Sequence, residues 1–320
     1  MNISRRNFVA ASGLAAATAA LAGCGSSSSS SSSAYKIGVV QLTEHSALDA
    51  SNNGFVEALN NSGLDVSIDQ QNAQNDQSAC QTIASKFVGD GVNLIYAIAT
   101  PAAQAAAAAT TDIPIVGCAI TDYAASGLVK DNDKPGGNVT GASDLTPVAE
   151  QIQMMQKVLP NVKKVGLLYC SAESNSDVQI KTAKEELDAL GLSYEEYAVS
   201  SSNEIQSVVE SAVGKVDALY SPTDNTIAAG AAQVGQICKE NKLPFIPGEE
   251  GMCEAGGLFT LSINYTDLGK LAGEMAVKIL KGEAKPADMA IEHLDSSKLV
   301  VVKNEEMAAA IGVDLSALDA

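Results

Sequence analysis

The stretch Val165-Gly-Leu-Leu-Tyr169 decides the fold class, because its five consecutive residues include no charged side chain. An uninterrupted apolar run of this length is typical of a parallel strand that is covered on both faces. The residues that follow predict an amphipathic helix over 175–190, in which Ile180, Ala183 and Leu187 recur at helical spacing. A buried strand followed by such a helix is the repeating unit of α/β proteins with parallel sheets.

The same strand–helix unit recurs on both sides of this stretch. The pattern predicts further strands over 36–42, 66–70, 93–99, 113–120, 192–199, 216–220, 244–246, 258–263 and 299–302. It predicts further helices over 47–61, 77–88, 204–213, 227–240 and 268–279, with two more starting at Pro101 and Asn304. The fold class is therefore α/β, with two doubly wound, Rossmann-like lobes.

Three connections between the two halves indicate a hinge. They fall at Pro135–Pro147, near Asn264, and between Gly282 and Glu292. We accordingly predict one lobe over 35–145 plus 265–290, called lobe 1, and a second over 146–264 plus 291–320, called lobe 2. Paired α/β lobes of this kind bind small molecules between them, at the carboxyl ends of their strands.

The N-terminus predicts export and attachment to a membrane. Arg5 and Arg6 precede an apolar segment of about 14 residues, which is shorter than the roughly 18 that a membrane span requires. This start resembles a twin-arginine signal, and Leu21-Ala-Gly-Cys24 resembles a bacterial lipobox. We predict a signal peptide over 1–23, a lipidated Cys24 and a flexible serine-rich tether over 24–34. The alternative is a plain secretory signal with a chance cysteine.

The charge balance excludes nucleic acid as a partner. The chain has 38 Asp and Glu against 20 Lys and Arg, and two of those 20 are Arg5 and Arg6 in the signal peptide. A chain this acidic repels polyanions, so contact with a membrane is expected only through the lipid. No arginine follows Arg6, so an anionic ligand group must be held by lysine, hydroxyls, amides or helix starts.

Polar residues follow most of the predicted strands, at the edge where the two lobes face each other. The candidate ligand-binding residues are Thr43, Glu44, His45, Thr100, Pro101, Thr121, Asp122, Tyr123, Asn175, Ser176, Asp224, Asn225 and Glu249. Many of them directly precede helices, so ordinary N-capping is the alternative interpretation of each loop. Six such loops meeting at one cleft favour a ligand site.

A small zwitterion fits these residue types. Carboxylates such as Glu44, Asp122, Asp224 or Glu249 can hold an ammonium group. A carboxylate can be held by the helix starts near Pro101 and Asn175, with the hydroxyls of Thr100 and Ser176. Tyr123, Tyr169 and Tyr265 are candidates for an apolar wall, or alternatively for the core.

Catalytic and metal sites find little support in the sequence. His45 and His293 are the only histidines, and Glu44-His45 could act as an acid–base pair, but no matched nucleophile, phosphate loop or nucleophile elbow is present. The cysteines after Cys24 form no Cys-x-x-Cys pair, and a Cys238–Cys253 disulfide is one open alternative. We therefore expect a binding protein, with no cofactor and no metal.

Six segments carry a resemblance to a known family. They are Gln41–Asp49, Gln71–Gln74, Ala97–Gln104, Pro135–Gly141, Pro222–Asn225 and Gly248–Met252. In this order they are similar to the substrate-binding proteins of ABC transporters in the tryptophan-binding TrpX-like family. The resemblance covers nearly the whole chain after the tether. It implies the type I periplasmic-binding-protein fold.

The resemblance also implies a function and partners. We expect an extracytoplasmic monomer that captures an amino acid, aromatic in the best-known members, and delivers it to an ABC permease with its ATPase. A ligand-sensing receptor of the same fold, coupled to a signalling partner, is the alternative. Two positions depart from the family pattern, because Ser46 and Tyr123 stand where members usually have proline. Both belong to loops of the predicted site, so the identity of the ligand stays open.

Overall fold

The computed structural model describes residues Ala34–Asp319. The predicted signal peptide, Cys24 and the serine run up to Ser33 lie outside the described residues. Within the described part of the chain, no helix is long and apolar enough to cross a membrane.

Strands and helices alternate along most of the described chain. The strands are β1 (Tyr35–Gln41), β2 (Val66–Asn72), β3 (Leu94–Ile98), β4 (Ile115–Ile120), β5 (Val139–Ser143), β6 (Lys164–Cys170), β7 (Ser193–Val199), β8 (Ala218–Ser221), β9 (Phe245–Pro247), β10 (Phe259–Ser262), β11 (Glu292–His293) and β12 (Val300–Lys303). The α-helices are α1 (Ser46–Asn61), α2 (Gln77–Asp90), α3 (Thr100–Ala109), α4 (Val148–Val158), α5 (Ser174–Ala189), α6 (Ile205–Ala212), α7 (Asn225–Ala229), α8 (Ala231–Asn241), α9 (Glu250–Gly256), α10 (Tyr265–Leu280) and α11 (Glu305–Ile311).

Two parallel sheets form the centres of the two lobes. The first has six strands in the order β11-β5-β4-β3-β1-β2, and the second has four in the order β7-β6-β8-β9. All pairs within both sheets are parallel. The predicted α/β class with two parallel-sheet lobes is therefore confirmed. A separate antiparallel ribbon pairs β10, which ends just before the second crossing, with β12, which follows the last one.

Each lobe has its own hydrophobic core. Lobe 1 is built around β1, β3 and β4, whose residues are almost entirely buried, and includes a stacked pair of Phe55 and Tyr96 with ring centroids 3.6 Å apart. The core of lobe 2 surrounds β6 and β8. Truncation of a buried aromatic such as Phe55 to alanine removes about 3–5 kcal/mol of stability.

Glycines allow two helices to pack closely: α10, which follows the second crossing, and α1, which begins at the cleft. A Cβ at Gly54 of α1 would overlap the carbonyl oxygen of Thr266, and one at Gly269 of α10 would overlap that of Ser51. The two backbones can approach this closely only because neither residue has a side chain. Helix α1 is thereby packed directly against the first turns of α10.

The structure corrects the prediction at two places. Strand β5 lies in a region that the sequence predicts as a connection, because Val139-Thr-Gly-Ala-Ser143 is short, with glycine and two hydroxyl residues, and helix α4 follows where no element is predicted. In addition, Glu292 and His293 pair in parallel with Ala142 and Ser143. They belong to the sheet of lobe 1, so the last crossing falls after His293 and not at residue 291.

Candidate functional site

A narrow cavity lies between the lobes, where the carboxyl ends of the strands meet. The atom-free space between its lining residues, including the part open to solvent, is about 290 Å³. Its lining residues are His45, Ala47, Leu48, Ala119, Thr121, Asp144, Asn175, Thr223, Asp224, Asn225, Ala228, Glu249 and Tyr265. Both lobes contribute to this lining, which is the position predicted for a ligand site in paired α/β lobes.

Hydrogen bonds join the two lobes across this cavity. His45 Nε2 lies 3.3 Å from Asn225 Oδ1, and Gln179 Nε2 donates to Thr121 Oγ1 at 3.3 Å. Outside the cavity, Asn75 Nδ2 donates to Thr226 Oγ1 at 3.1 Å. The lobes are therefore in contact, and the structure is that of a closed cleft.

Glu173 organises the lobe 2 wall of the cleft. Its carboxylate accepts five hydrogen bonds: from the backbone N–H groups of Asn225 and Thr226, the Thr226 hydroxyl, and the side-chain amides of Asn175 and Asn225. Glu173 is 3% exposed, and these five donors compensate the free-energy cost of burying its charge. The loops before α5 and α7 are thereby locked together.

Asp224 has a second structural role in the same wall. It caps α7 through the N–H of Ile227, and it accepts from the Ser176 hydroxyl at 2.7 Å and from the N–H of Cys170 at 2.6 Å. Burial and the nearby charge of Glu173 raise its pKa to about 7. Its partners come from its own lobe, so it shapes the cavity wall.

Asp144 and Glu249 are the carboxylates with the fewest donors for their burial. Asp144 receives only two long hydrogen bonds, from Tyr265 Oη at 3.1 Å and Thr121 Oγ1 at 3.4 Å. Glu249 caps α9 through the N–H groups of Gly251 and Met252. Burial raises the pKa of Asp144 to about 6 and that of Glu249 to about 7.

Two buried acceptors at the cavity have no partner. The Nδ2 of Asn225 donates to Glu173, so its Oδ1 accepts from the Nε2–H of His45, and His45 Nδ1 is left as an unprotonated acceptor. Burial lowers the pKa of this imidazole, which keeps it neutral. The Oδ1 of Asn175, a residue 2% exposed, is also unpaired. Both atoms can accept a hydrogen bond from a bound molecule.

The lobe 1 wall contains strained backbone. Ala99, at the end of β3, has φ of 83°, and Ala119, in β4, has φ of 55°. Both values lie in the left-handed region, which disfavours residues with a Cβ and is most often found at functional sites. The hydroxyl of the neighbouring Thr100 is buried without a partner.

The structure divides the predicted ligand-binding residues into three groups. Those that line the cavity are His45, Thr121, Asn175, Asp224, Asn225 and Glu249. Those that are buried but do not line it are Thr43, Thr100, Pro101 and Ser176. Glu44 is exposed to solvent, and Asp122 and Tyr123 lie elsewhere.

The last two positions correct the prediction for the loop after β4. Asp122 accepts hydrogen bonds from the N–H groups of Ala124 and Ala125 and from Asn132, which makes it a turn residue. Tyr123 is completely buried, with its hydroxyl donating to the carbonyl of Ala142 at 3.1 Å. It fills the core of lobe 1, so it neither stacks on a ligand nor occupies the cavity.

Asp144 is the main residue of the cavity that the sequence does not predict. It directly follows β5, and the rule that selects polar residues after strands would have selected it had β5 been recognised. Tyr265 is predicted as an apolar wall or as part of the core, whereas in the structure its hydroxyl also donates to Asp144.

The described cysteines and acidic residues offer no metal site. Within Ala34–Asp319, no group of three or more His, Cys, Asp or Glu residues is arranged to hold a metal ion. Cys80, Cys118, Cys170, Cys238 and Cys253 are buried free thiols, so Cys238 and Cys253 are not joined.

Two hinged α/β lobes around an enclosed polar cavity define a two-lobed solute-binding protein. The model of the ABC transporter substrate-binding protein family matches residues 36–317. The chain belongs to this family, whose members bind solutes outside the cytoplasm and are not enzymes. It is 40% identical to a tyrosine-binding protein of Clostridioides difficile over 88% of this chain and 82% of that protein.

Comparison with solved structures agrees with this family and also indicates whether the cleft is open or closed. A Streptococcus pneumoniae ABC domain in complex with L-Trp is 41% identical, with a TM-score of 0.86 over 90% of this chain and 98% of that one. A ligand-free, open substrate-binding protein of Clostridium difficile is 44% identical, yet its TM-score is 0.67 over 88% and 95%. At similar identity the closer superposition is with the complex, which agrees with the lobe contacts described above. The type I periplasmic-binding-protein fold is confirmed.

Proposed function

We propose that this chain is the receptor of an ABC importer and that it captures an aromatic L-amino acid, tyrosine or tryptophan, in the cavity between its lobes. The observation that carries this proposal is the lining of that cavity, in which buried carboxylates and unpaired acceptors face a space without any lysine or arginine. Such a lining fits a ligand that brings its own ammonium group. The ligands named for the two relatives supply the class of side chain.

The ammonium group is assigned to the end of the cavity that contains Asp144 and Glu249. Asp144 has free lone pairs because it accepts only two hydrogen bonds, and both of them are long. A charge-assisted hydrogen bond of this kind contributes roughly 1.5–3 kcal/mol.

The ligand carboxylate is assigned to the helix starts. Helices α1 and α5 both have 16 residues and begin at the cavity, and neither His45 nor Glu173 caps its helix with a side chain. By contrast α7 and α9, which also begin at the cavity, are capped by Asp224 and Glu249. Free N–H groups and the helix dipole hold an anion without arginine.

Small residues leave room for a ring. Ala47, Ala119 and Ala228 line the cavity, and Leu48 and Tyr265 provide its larger apolar surfaces. These residues give the cavity apolar surface for an aromatic side chain beside its polar groups.

We infer that Cys24 carries the lipid that anchors this receptor to the outer face of the membrane, where the tether lets it reach the permease and its ATPase. A Cys24→Ser chain in the native cell is expected to lose incorporation of labelled fatty acid and to appear in the medium. Deletion of the gene is expected to reduce uptake of the labelled ligand. Retention of the Cys24→Ser protein at the membrane would contradict the anchor.

The ligand is tested by thermal unfolding of the chain from Ala34 onward with each standard amino acid. L-tyrosine or L-tryptophan is expected to raise Tm by several degrees, because binding stabilises by about 2.7 kcal/mol at a hundred times Kd. Asp144→Asn should remove most of that rise, whereas Glu254→Gln, an exposed residue of α9, should not. No shift with any aromatic amino acid would refute this ligand class.

A further inference from the structure

The closed cavity contains negative charge that the protein itself does not balance. Asp144 is 5% exposed and Glu249 is 2% exposed. No lysine lines the cavity, and the single basic group, His45, has its pKa lowered by burial. Burying a carboxylate without a cation is unfavourable by several kcal/mol.

We propose that Asp144 and Glu249 form an electrostatic gate, which holds the empty receptor open until the ammonium group of a ligand supplies the missing positive charge. The choice of an amine ligand rests on the proposed function. The gate itself is a property of this chain, so it can be tested without any ligand.

The lobe arrangement explains why the two charges oppose closure. Asp144 stands at the first crossing after β5, and Glu249 lies on lobe 2 between β9 and α9. The cavity exists only where the lobes meet, so their separation admits water to this lining. Closure without a ligand therefore removes both carboxylates from water and brings them towards each other, since both line the same cavity.

The size of the opposition follows from the ionisation of the closed form. A pKa raised from its ordinary 3.8 to about 6 corresponds to an approximately hundredfold preference of the closed cavity for a neutral Asp144. For Glu249, whose pKa rises from 4.5 to about 7, the preference is somewhat larger. Together they amount to at least about 10⁴, which suffices to convert a 1:99 mixture into 99:1.

The titratable neighbours of this pair are almost all acidic. Those that act on Asp144, Glu249 or the adjoining residues are Cys118, Tyr123, Tyr265, Glu250, Glu173, Asp224, Asp49 and His45. Glu173 and Asp224 differ from the gate because three or more donors of their own lobe hold each of them. Their burial does not depend on a ligand.

Lowering the pH is expected to promote closure of the empty protein, because protonation removes the charge that the ligand would otherwise balance. Between pH 7.5 and 5.5, protonation of the two gate carboxylates favours the closed form by roughly a hundredfold. His45 acts in the opposite direction, by at most about tenfold, because its pKa is lower in the closed form than the ordinary 6.5. The net expectation is an increase of at least about tenfold in the ratio of closed to open empty protein.

The test uses amide variants at pH 7.5, where His45 is neutral. Small-angle scattering is recorded for the ligand-free wild type, Asp144→Asn, and the double variant Asp144→Asn/Glu249→Gln, with Glu254→Gln as the control on α9. The scattering calculated from the closed structure gives the closed reference, so the comparison requires no ligand. Circular dichroism establishes that each variant is folded.

The empty double variant is expected to have a radius of gyration close to that of the closed reference, with Asp144→Asn between it and the wild type. Both variants should nevertheless bind the amino acid at least tenfold more weakly, because the ammonium group has lost a partner. A folded double variant that scatters as the open wild type would overturn the gate, as would an empty wild type that is already compact at pH 7.5. Neither result affects the proposed function, which depends on the thermal shift of the wild type.

Discussion

The two walls of the cleft satisfy their polar groups in different ways. On lobe 2, Glu173 and Asp224 accept eight hydrogen bonds between them, all from residues of that lobe. On lobe 1, the hydroxyl of Thr100 and the Nδ1 of His45 are unpaired, and Ala99 has a left-handed backbone. The lobe 2 wall therefore satisfies these two carboxylates with its own donors and leaves only Asn175 Oδ1 open, whereas the lobe 1 wall combines unpaired groups with strained backbone.

This difference indicates how the receptor can combine rigidity with response. A wall whose carboxylates are held by an internal hydrogen-bond network is pre-organised, so it presents its remaining acceptors to a ligand with little loss of conformational entropy. A wall with unpaired and strained groups gains more from the ligand and from closure, and it biases the empty protein towards the open state. The predictions below test this contrast.

Loss of Glu173 should give the largest effect. Glu173→Ala leaves the N–H groups of Asn225 and Thr226 without their acceptor inside lobe 2. We expect the free energy of unfolding to fall by about 3 kcal/mol, in the range measured for broken buried charge networks. Urea unfolding measures it, and Glu44→Ala, an exposed residue of the opposite wall, should change it by less than about 0.5 kcal/mol. Equal losses in the two variants would contradict the contrast.

The next largest effect is expected at the rim of the cleft, where the two walls are in contact. A Cβ on Gly251 of α9 would overlap the Ser46 side chain of α1, whose Cβ would be only 2.9 Å away. Because these residues meet only when the lobes close, Gly251→Ala should weaken binding of the amino acid by about tenfold to a hundredfold. Calorimetric titration measures the change in Kd.

Two further variants show whether the rim contact is the cause. Gly89→Ala adds a methyl group to α2, where nothing lies within 4 Å, and should leave Kd unchanged. Ser46→Gly combined with Gly251→Ala removes the overlapping atoms and should restore most of the affinity. Failure of this rescue would mean that Gly251→Ala disturbs α9 itself.

The sequence predicts the lobe 2 wall of the cleft better than the lobe 1 wall. Val165–Tyr169 and the helix after it have strong patterns, so the loops that contain Asn175 and Asp224 follow directly from strand ends. Asp144 is missed because β5 has no apolar run, and Tyr123 is misplaced because the sequence does not tell a residue in the core from one in the cleft. The left-handed backbone of Ala99 has no signal at all, since alanine is not a residue that favours it.

Relief of the backbone strain at Ala99 should have a smaller effect on stability than the loss of Glu173. Ala99→Gly removes the Cβ where φ is 83° and ψ is 153°, a region that is unfavourable by about 1–3 kcal/mol for other residues. Glycine loses more entropy on folding, so we expect a net gain of about 1 kcal/mol in the free energy of unfolding. Thermal unfolding measures it. The same change at Ala309, an exposed residue of α11, should instead lower stability by about 1 kcal/mol. A loss at Ala99 would show that its Cβ packing outweighs the strain.

The smallest effect is expected where the walls touch outside the cavity. Asn75 has φ of 61° and donates across the cleft to Thr226, so Asn75→Gly keeps the backbone and removes only this hydrogen bond. One such bond contributes about 0.5–1 kcal/mol, and we expect a threefold to fivefold faster release of the amino acid, with unchanged stability of the ligand-free protein. Stopped-flow dissociation measures the rate. Gln74→Gly is the matched control, because Gln74 lies in the same turn with φ of 53° but makes no side-chain bond across the cleft. If both variants released the ligand equally fast, the turn would act through its backbone, and the bond to Thr226 would not contribute to closure.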